Sequence, residues 1–355
     1  MNHTAERPRV YIVILNYNGW SDTIECLESV LRLNYTNYQV ILVDNASQNS
    51  SVENIKLWAK GKLNVWRSNH NSLRHLSNPP LVKPVPLIEF NHQMEAKSSD
   101  IALNNKRMPK STGCDLIILI HSGGNLGFAG GNNVGLRFAL KENDFDYVWL
   151  LNNDTVVEPS ALDKLVERMR GKPSAGICGS TLLFYHNPKL IQAQGGATFN
   201  KLFATSKHIG LGNLFSNRMS KELVEKKIAY SSGASMLVSH DFINSVGFMN
   251  EDFFLYFEEI DWALRGKKKS FVQLYASDSI VYHKEGGSIG SSSYGAKKSE
   301  LADYYGLRNR ITFTKKHFPI ALLTVYLGLI LTIINRIRRG QWKRILMIIK
   351  IILGR

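Results

Sequence analysis

Four short apolar runs, each ended by polar residues, constrain the fold of this chain more than any other feature. The runs are VYIVIL (10–15), YQVILV (38–43), DLIILI (115–120) and VWLL (148–151). Each has the length and composition of a fully buried strand, and a helical pattern of apolar residues follows each one. Strands that alternate with helices form a doubly wound sheet, in which ligands bind at the carboxyl ends of the strands. The sequence therefore predicts an α/β fold.

Carboxylates stand directly after two of these strands. Asp44 follows the second strand, and Asp154 follows the fourth after two asparagines, Asn152 and Asn153. A cation such as Mg²⁺ takes one or two protein carboxylates and completes its shell with water and phosphate oxygens. Asp154 is therefore a candidate metal ligand, and Asp44 could bind a ribose or a base. The alternative for both is an ordinary turn residue or helix cap.

A glycine-rich segment, GGNLGFAGGNN (123–133), follows the third strand and opens a helix. Glycines let the backbone approach a ligand closely, and a helix start favours phosphate. The spacing matches neither a P-loop nor a GxGxxG dinucleotide loop, and the turn after the first strand has a single glycine. A nicotinamide-binding site is therefore disfavoured. Further on, Ser232-Gly233 interrupts an apolar strand, which suggests a bend beside a ligand.

Three carboxylates lie directly after an aromatic run in FFLYFEEIDWALR (253–265). Glu258 and Asp261 would share one helical face, while Glu259 points elsewhere. A carboxylate beside aromatic surface loses hydration and becomes a better base. The alternative is an acidic helix start favoured by the helix dipole. His283 ends the last predicted strand, as either a structural residue or a ligand.

Two segments fall outside the strand and helix pattern. Residues 62–112 have no sustained apolar period, so we interpret them as an insertion that is partly disordered or lid-like. The N-terminus has no apolar stretch typical of a secretion signal, and the three cysteines have no metal-finger spacing. A reducing compartment is expected.

The C-terminal segment, residues 318–355, is apolar and basic. The chain has a net charge of +15, and eleven basic residues follow the last acidic residue, Asp303. Residues 318–334 are 17 nearly all apolar residues, slightly short of the about 20 that span a bilayer. This much isoleucine and leucine disfavours nucleic acid as a partner. Helices lying in an anionic membrane surface are favoured over a single span, and dimerisation or packing on the main domain are the alternatives.

Seven sequence blocks together resemble one enzyme family. In chain order they are VILNYNG, VDNAS, NLGFAGGNN, LLNNDT, SGASML, FFLYFEEIDWALR and VYHKEGGS. This series resembles family 2 glycosyltransferases, and is closest in kind to bacterial rhamnosyltransferases of surface-polysaccharide assembly. The resemblance implies a GT-A fold, a Rossmann-like mixed sheet flanked by helices, over residues 1–317. Residues 318–355 would be a helical membrane-associating tail.

The resemblance also implies roles for individual residues. Glu259 would be the general base, with Glu258 as the alternative. Asp154, helped by His283, would hold Mg²⁺ or Mn²⁺, and Gly233 and Asp261 would bind the acceptor. The residues expected to bind the nucleotide sugar are Asn16, Asp44, Asn45, Asn125, Gly127, Gly131, Asn132, Asn152, Asn153 and Asp154.

The expected reaction is an inverting sugar transfer from a nucleotide-diphosphate donor to a hydroxyl of a lipid-linked or polysaccharide acceptor. The leading donor is dTDP-rhamnose, followed by UDP-hexoses. The enzyme would work at the cytoplasmic face of the inner membrane, either peripherally or with one span. A non-catalytic relative remains the alternative, because Asn152 and Glu259 depart from the family's usual aspartates.

Overall fold

The central feature of the fold is a ten-stranded mixed sheet. The structure is a computed structural model that describes residues 7–64, 72–91, 116–285 and 299–354. Much of the 62–112 insertion therefore lies outside the described residues, as do Cys114 and the glycine-serine end of the VYHKEGGS block.

The strands are β1 (Val10–Asn16), β2 (Tyr38–Asp44), β3 (Leu87–Asn91), β4 (Ile117–His121), β5 (Tyr147–Asn152), β6 (Thr155–Val157), β7 (Ala175–Phe184), β8 (Asn187–Gln194), β9 (Gly196–Asn200), β10 (Thr205–His208), β11 (Tyr230–Ser231), β12 (Ser235–Ser239) and β13 (Val272–His283). The helices are α1 (Trp20–Val30), α2 (Ser51–Ala59), α3 (Gly127–Glu142), α4 (Ala161–Met169), α5 (Lys221–Lys227), α6 (His240–Val246), α7 (Glu258–Lys268), α8 (Glu300–His317), α9 (Leu322–Arg338) and α10 (Trp342–Ile352). Short 3-10 turns lie at Arg74–Leu76, Phe215–Asn217 and Pro319–Ala321.

The sheet order is β3-β4-β2-β1-β5-β12-β7-β13-β6, with β8 paired to β7. The first five strands of this order are mutually parallel, and β12 then pairs antiparallel with both of its neighbours. A separate three-stranded antiparallel sheet has the order β10-β9-β11. The four apolar runs form the parallel strands β1, β2, β4 and β5, so their polar ends meet at one edge.

Helices cover both faces of the sheet because the strand residues are apolar on both sides. In β1, Ile12 and Ile14 face a core that includes α1, α2 and α4, while Tyr11 and Val13 face one that includes α3 and α6. Strands buried on both faces are typical of parallel sheets with helices on each side.

The structure corrects the sequence prediction at three places. The insertion contributes a strand, Leu87–Asn91, which pairs in parallel with β4 at the edge of the sheet. The predicted strand over 228–238 is two strands, β11 and β12, in different sheets. The sequence pattern predicts two final strands, over 271–275 and 279–283, but the structure has one, β13, with an irregularity between Ala276 and Ile280.

The three C-terminal helices pack on one another at one side of the molecule. Leu307 and Ile311 of α8 form a cluster with Val325 and Leu329 of α9 and Ile348 of α10. The segment Pro319–Arg338 has 20 residues and a mean hydropathy of 2.0, so it is long and apolar enough to cross a membrane. Among the described residues it is the one helix that meets this criterion.

Candidate active site

A chain of buried hydrogen bonds joins the carboxyl ends of the parallel strands. Asn16 Nδ2 donates to Asp44 Oδ1 at 2.7 Å, and the Thr23 hydroxyl donates to Asn16 Oδ1 at 2.9 Å. Asn153 Nδ2 donates in turn to Thr23 Oγ1 at 3.0 Å. The ends of β1 and β2 and the turn after β5 are thereby connected through α1. Thr23 was not predicted, because it falls inside an ordinary helical pattern.

Asn45 holds the glycine-rich segment. Its Nδ2 donates to Asn125 Oδ1 at 3.0 Å and to Gly127 O at 3.2 Å, and its Oδ1 accepts from Leu126 N at 3.0 Å. Gly127 has φ +68°, and a Cβ there would lie 2.2 Å from Phe254 O. Only glycine fits this position. The glycine-rich segment therefore touches the aromatic run directly, with Phe128 N donating to Phe254 O at 2.8 Å.

Gly131 and Asn132 lie within α3. A Cβ at Gly131 would lie 2.5 Å from Leu15 Cδ1, so this glycine permits close packing of α3 on β1. Asn132 is buried and donates to Phe128 O at 2.9 Å. Asn133, which was not predicted, donates to Met249 O at 2.9 Å and accepts from Met249 N at 3.1 Å. It anchors the segment before the aromatic run to α3.

The two predicted metal ligands are brought together at the sheet edge. His283 Nε2 lies 3.0 Å from Asp154 Oδ1, its Nδ1 lies 3.0 Å from Gln192 Oε1, and Asn152 Nδ2 is 3.5 Å from Nε2. Burial alone would raise the pKa of Asp154, but the charge and hydrogen bond of His283 bring it below its usual value. Burial acts to lower the pKa of His283, and Asp154 outweighs it, so that pKa is raised.

The side chains of Asp154 and His283 offer ligand atoms that suit a divalent cation. One carboxylate and one imidazole with a held orientation leave room for diphosphate and water oxygens, which such ions use to complete their shell. No group of three or more His, Cys, Asp or Glu side chains forms a closed metal cage in the described ranges. The residues present therefore fit a metal shared with a bound diphosphate.

A buried ion-pair network adjoins Asp154. Lys284 Nζ donates to Asp22 Oδ1 at 2.8 Å and to Glu25 Oε2, and Tyr185 donates to Glu25 Oε1 at 2.6 Å. Lys284 N also donates to Asp154 O at 2.9 Å. Removing one partner of such a buried pair is costly, so the network fixes β13 against α1 beside the predicted metal ligands. The sequence signal was limited to a lysine after a strand-end histidine.

A strained backbone turn precedes the acidic pair. Tyr256 and Phe257, immediately before α7, have φ of 68° and 77°. Non-glycine residues in this region each cost about 1–3 kcal/mol and need support from their surroundings. Asn309 of α8 supplies it, since its Nδ2 donates to Leu255 O at 2.8 Å and to Tyr256 O at 3.1 Å. Glu258 and Glu259 are the first two residues of α7 and follow this turn directly.

Glu259 meets both the strand bend and the glycine-rich segment. Gly233 N donates to Glu259 Oε1 at 3.2 Å. A Cβ at Gly233 would lie 2.8 Å from that oxygen and 2.7 Å from Phe128 Cζ. Burial raises the pKa of Glu259 above its usual value. The structure thus brings three separately predicted groups to one point.

Glu258 is more deeply buried than Glu259. It is 2% exposed, and its Oε2 has no hydrogen-bond partner within the described part of the chain. Burial, followed by the negative charge of Glu259, raises the pKa of Glu258 well above the usual value. Glu258 is therefore the more enclosed carboxyl of the pair, and Glu259 is the more accessible one.

Asp261, predicted to bind the acceptor, lies in a buried ion-pair cluster between α7 and α8. The side chain is fully buried and pairs with Arg265 Nε at 2.8 Å, Lys316 Nζ at 2.8 Å and His317 Nε2 at 2.7 Å. Burial alone would raise its pKa, but these contacts hold the pKa well below the usual value. Asp261 fastens α7 to the end of α8, which spacing along the sequence does not reveal.

Gly233→Ala is expected to reduce turnover by about 10- to 100-fold, because it would displace Glu259, the predicted general base, and rate falls steeply with such a displacement. The new methyl group would meet the ends of the Glu259 and Phe128 side chains, which can move aside. Steady-state kinetics and a thermal melt should therefore show lost rate with a nearly unchanged Tm. Gly131→Ala is the matched control, since it overpacks the core and should cost about 1–3 kcal/mol of stability. Wild-type turnover in Gly233→Ala would contradict this geometry.

The mixed sheet, with its polar carboxyl edge and the acidic helix start facing the glycine-rich segment, defines a GT-A-type glycosyltransferase. The chain belongs to glycosyl transferase family 2, whose sequence model matches residues 11–77 and 103–239, more than half of the chain.

Individual relatives are more distant. The low-salt glycan biosynthesis hexosyltransferase Agl10 of Haloferax volcanii is 28% identical over 156 residues, which cover 44% of this chain and 48% of Agl10. The match thus spans about half the length of that relative.

Solved structures of glycosyltransferases resemble the fold. GalNAc-T7 with UDP, GalNAc and Mn²⁺ has a TM-score of 0.51 and 13% identity, over 86% of this chain and 48% of that one. The mannosyltransferase PcManGT of Pyrobaculum calidifontis, in complex with GDP-Man and Mn²⁺, has a TM-score of 0.49 and 12% identity, over 98% of this chain and 86% of that one. The GalNAc-T7 likeness shows the shared GT-A fold.

Proposed function

We propose that this enzyme transfers a hexose from a nucleotide-diphosphate sugar to a hydroxyl of a lipid-linked or polysaccharide acceptor in cell-surface glycan assembly. The leading donor is dTDP-rhamnose, and UDP-hexoses are the alternative. The observation that carries the proposal is that Glu259 and Phe128 of the glycine-rich segment both lie beside Gly233. A carboxylate whose pKa is raised by burial is thereby placed near the glycine-rich segment. A base of this kind can take a proton at neutral pH.

The proposed chemistry is one displacement. The acceptor oxygen bonds to C1 of the sugar as Glu259 takes the hydroxyl proton, and the bond from C1 to the diphosphate oxygen breaks with its electron pair on the diphosphate. Attack from the face opposite the leaving group inverts the anomeric centre. A single base is sufficient, whereas retaining hydrolases need a carboxylate nucleophile as well as an acid.

The donor would lie along the polar edge of the sheet. Asn16, Asp44 and Asn153 form its base, and Asn45 with Asn125 shapes the glycine-rich segment above them. Asp154 and His283 would hold Mg²⁺ or Mn²⁺, which neutralises the charge that develops on the leaving diphosphate. GalNAc-T7, whose fold this chain shares, was solved with UDP, GalNAc and Mn²⁺, which supports this assignment.

We further propose that the enzyme works on the cytoplasmic face of the membrane, where a lipid-linked acceptor would be presented. The apolar and basic tail supports this location, because exposed apolar residues with flanking lysines and arginines are typical of membrane-surface segments. A membrane-bound enzyme meets a lipid-linked substrate without extracting it from the bilayer.

A panel of nucleotide sugars tests this function. Purified full-length protein is titrated with dTDP-rhamnose, UDP-glucose, UDP-galactose and GDP-mannose, with Mn²⁺ and with excess EDTA, and released nucleotide diphosphate is measured in parallel. We expect metal-dependent binding and slow hydrolysis of one donor, with dTDP-rhamnose first. Binding without turnover, even with lipid extracts as acceptors, would instead favour a non-catalytic nucleotide-sugar-binding relative.

A further inference from the structure

The two terminal helices each expose one apolar face. In α9 the exposed residues recur every three or four positions, at Leu323, Leu327, Ile330, Leu331 and Ile334. This spacing marks one side of a helix. The opposite side, with Val325 and Leu329, is buried against α8. A helix that is apolar on all sides usually buries more than one of them, and the described residues cover only one side of α9.

Helix α10 has the same design. Trp342, Leu346, Ile349 and Leu353 are exposed at helical spacing, while Ile345 and Ile348 are buried. The outward faces of both helices are therefore large, apolar and uncovered within the described residues. Exposed apolar patches of this kind mark interaction surfaces.

One buried carboxylate joins both terminal helices to α8. Asp303 of α8 pairs with Arg336 of α9 at 2.9 Å and with Arg344, just inside α10, at 3.1 Å. If α9 crossed a bilayer, it would have to leave α8 along its length and break the pair between Asp303 and Arg336. Separated charges of this kind are expensive in hydrocarbon. The ion pairs of Asp303 with Arg336 and Arg344 therefore favour terminal helices that lie along the protein rather than across a membrane.

A turn of the smaller sheet adds to the same surface. Thr324 Oγ1 of α9 donates to Leu202 O, and Phe203 Cδ1 lies 3.9 Å from the position of a Cβ at Gly328. Leu202 and Phe203 are themselves 59% and 45% exposed. The turn between β9 and β10, residues 201–204, thus presents two apolar side chains beside α9, although it is more than 110 residues away in sequence.

The positive charge around this surface indicates what kind of partner binds it. No acidic residue follows Asp303, and Arg338, Arg339, Lys343 and Lys350 are exposed on or between the two helices. Apolar residues bordered by cations complement an anionic lipid surface. We propose that α9, α10 and the 201–204 turn form one docking surface that lies in the plane of an anionic bilayer. This inference rests on the proposed function only for the identity of the acceptor.

Docking in this orientation would also fix the active site relative to the lipid. Helix α8 lies between the terminal helices and the aromatic run, where Tyr305 stacks on Phe254 with ring centroids 4.8 Å apart. The same helix supplies Asn309, which supports the turn before Glu258. The acidic pair is therefore connected to the docking surface through one helix.

Vesicle flotation tests the proposal. Full-length protein is mixed with vesicles of phosphatidylcholine alone or of phosphatidylcholine with phosphatidylglycerol. We expect the protein to bind the anionic vesicles. Alkaline carbonate should then release the protein from them. Phe203→Glu should weaken partitioning by about tenfold, because it removes one aromatic side chain that docking on the bilayer would bury. Val82→Glu, at a residue 93% exposed elsewhere in the chain, is the matched control and should bind like the wild type.

Three outcomes would overturn the proposal. Resistance to carbonate would indicate a spanning helix, and wild-type binding by Phe203→Glu would exclude the turn. A dimer in light scattering that Phe203→Glu converts to monomer, with no flotation, would make the surface a subunit interface. Donor hydrolysis measured without vesicles is the separate readout of the proposed function. If the wild-type protein floats with the vesicles but hydrolyses no donor, the proposed function is refuted and the proposed docking surface is still supported.

Discussion

Glu259→Gln should lower sugar transfer by about 10² to 10⁴, the usual cost of losing a general base. Glutamine keeps the length of the side chain, and its oxygen can still accept the hydrogen bond from Gly233 N. Donor binding should therefore persist, because the polar edge that would bind the donor is unchanged. The measurement is single-turnover transfer beside calorimetric titration of the donor. Transfer at the wild-type rate would remove Glu259 from the role of base.

Glu258→Gln is the matched control for that experiment. Burial raises the pKa of its carboxyl group well above the usual value, and glutamine keeps the size and neutrality of the protonated carboxyl. Most of the turnover should remain. If Glu258→Gln abolishes transfer while Glu259→Gln does not, the assignment within the pair is reversed.

Glu258→Gln should also change how the stability of the protein depends on pH. Below the ordinary glutamate pKa, about 4.3, the carboxyl is protonated in both folded and unfolded chains. As the pH rises, the unfolded chain ionises first, so the wild type loses stability up to the raised pKa of folded Glu258. Glutamine cannot ionise. The Tm advantage of Glu258→Gln over wild type should therefore grow from about pH 4 towards neutral pH, and an advantage that shrinks would contradict a raised pKa.

The parallel half of the sheet could be predicted because its strands are apolar on both faces. β1, β2, β4 and β5 are continuous runs ended by polar residues, and helices must cover both of their sides. β3 could not be predicted in this way. It is an edge strand with exposed residues, and its Glu89 pairs with Lys56 and His121 instead of facing a core.

In the candidate site, positions at strand ends could be predicted from the local sequence, but contacts between residues far apart in the chain could not. The strand-end positions of Asp154 and His283 are visible in the sequence, but their 3.0 Å contact joins residues 129 positions apart. The family resemblance, not spacing, predicted that pairing. Asn309 and Lys316 act on the acidic helix from α8, so no local pattern around Glu258 reveals them. Sharing a helical face with Glu258 therefore said little about the role of Asp261.

Asp154→Asn should weaken Mn²⁺ binding by about 100-fold or more, because loss of an outer-shell partner alone typically costs 10- to 100-fold. The substitution keeps the size of the side chain but removes the carboxylate charge that contacts His283 at 3.0 Å. Titration of free Mn²⁺ by electron paramagnetic resonance, with and without nucleotide diphosphate, measures the effect directly and does not depend on turnover. Metal-stimulated transfer should fall in parallel.

Gln192→Ala provides a graded comparison for Asp154→Asn. Gln192 contacts His283 at the ring nitrogen farther from Asp154, Nδ1, at 3.0 Å, and also donates to Glu285 Oε1. It should orient the imidazole without touching the metal, so its loss should cost about 10- to 100-fold in Mn²⁺ affinity and less than Asp154→Asn. Thermal melts without metal separate these effects from unfolding, since Asp154→Asn also removes the ion pair with His283. Equal Mn²⁺ affinity in Asp154→Asn and wild type would place the metal elsewhere, and the edge of the sheet at β5 and β13 would then need another role.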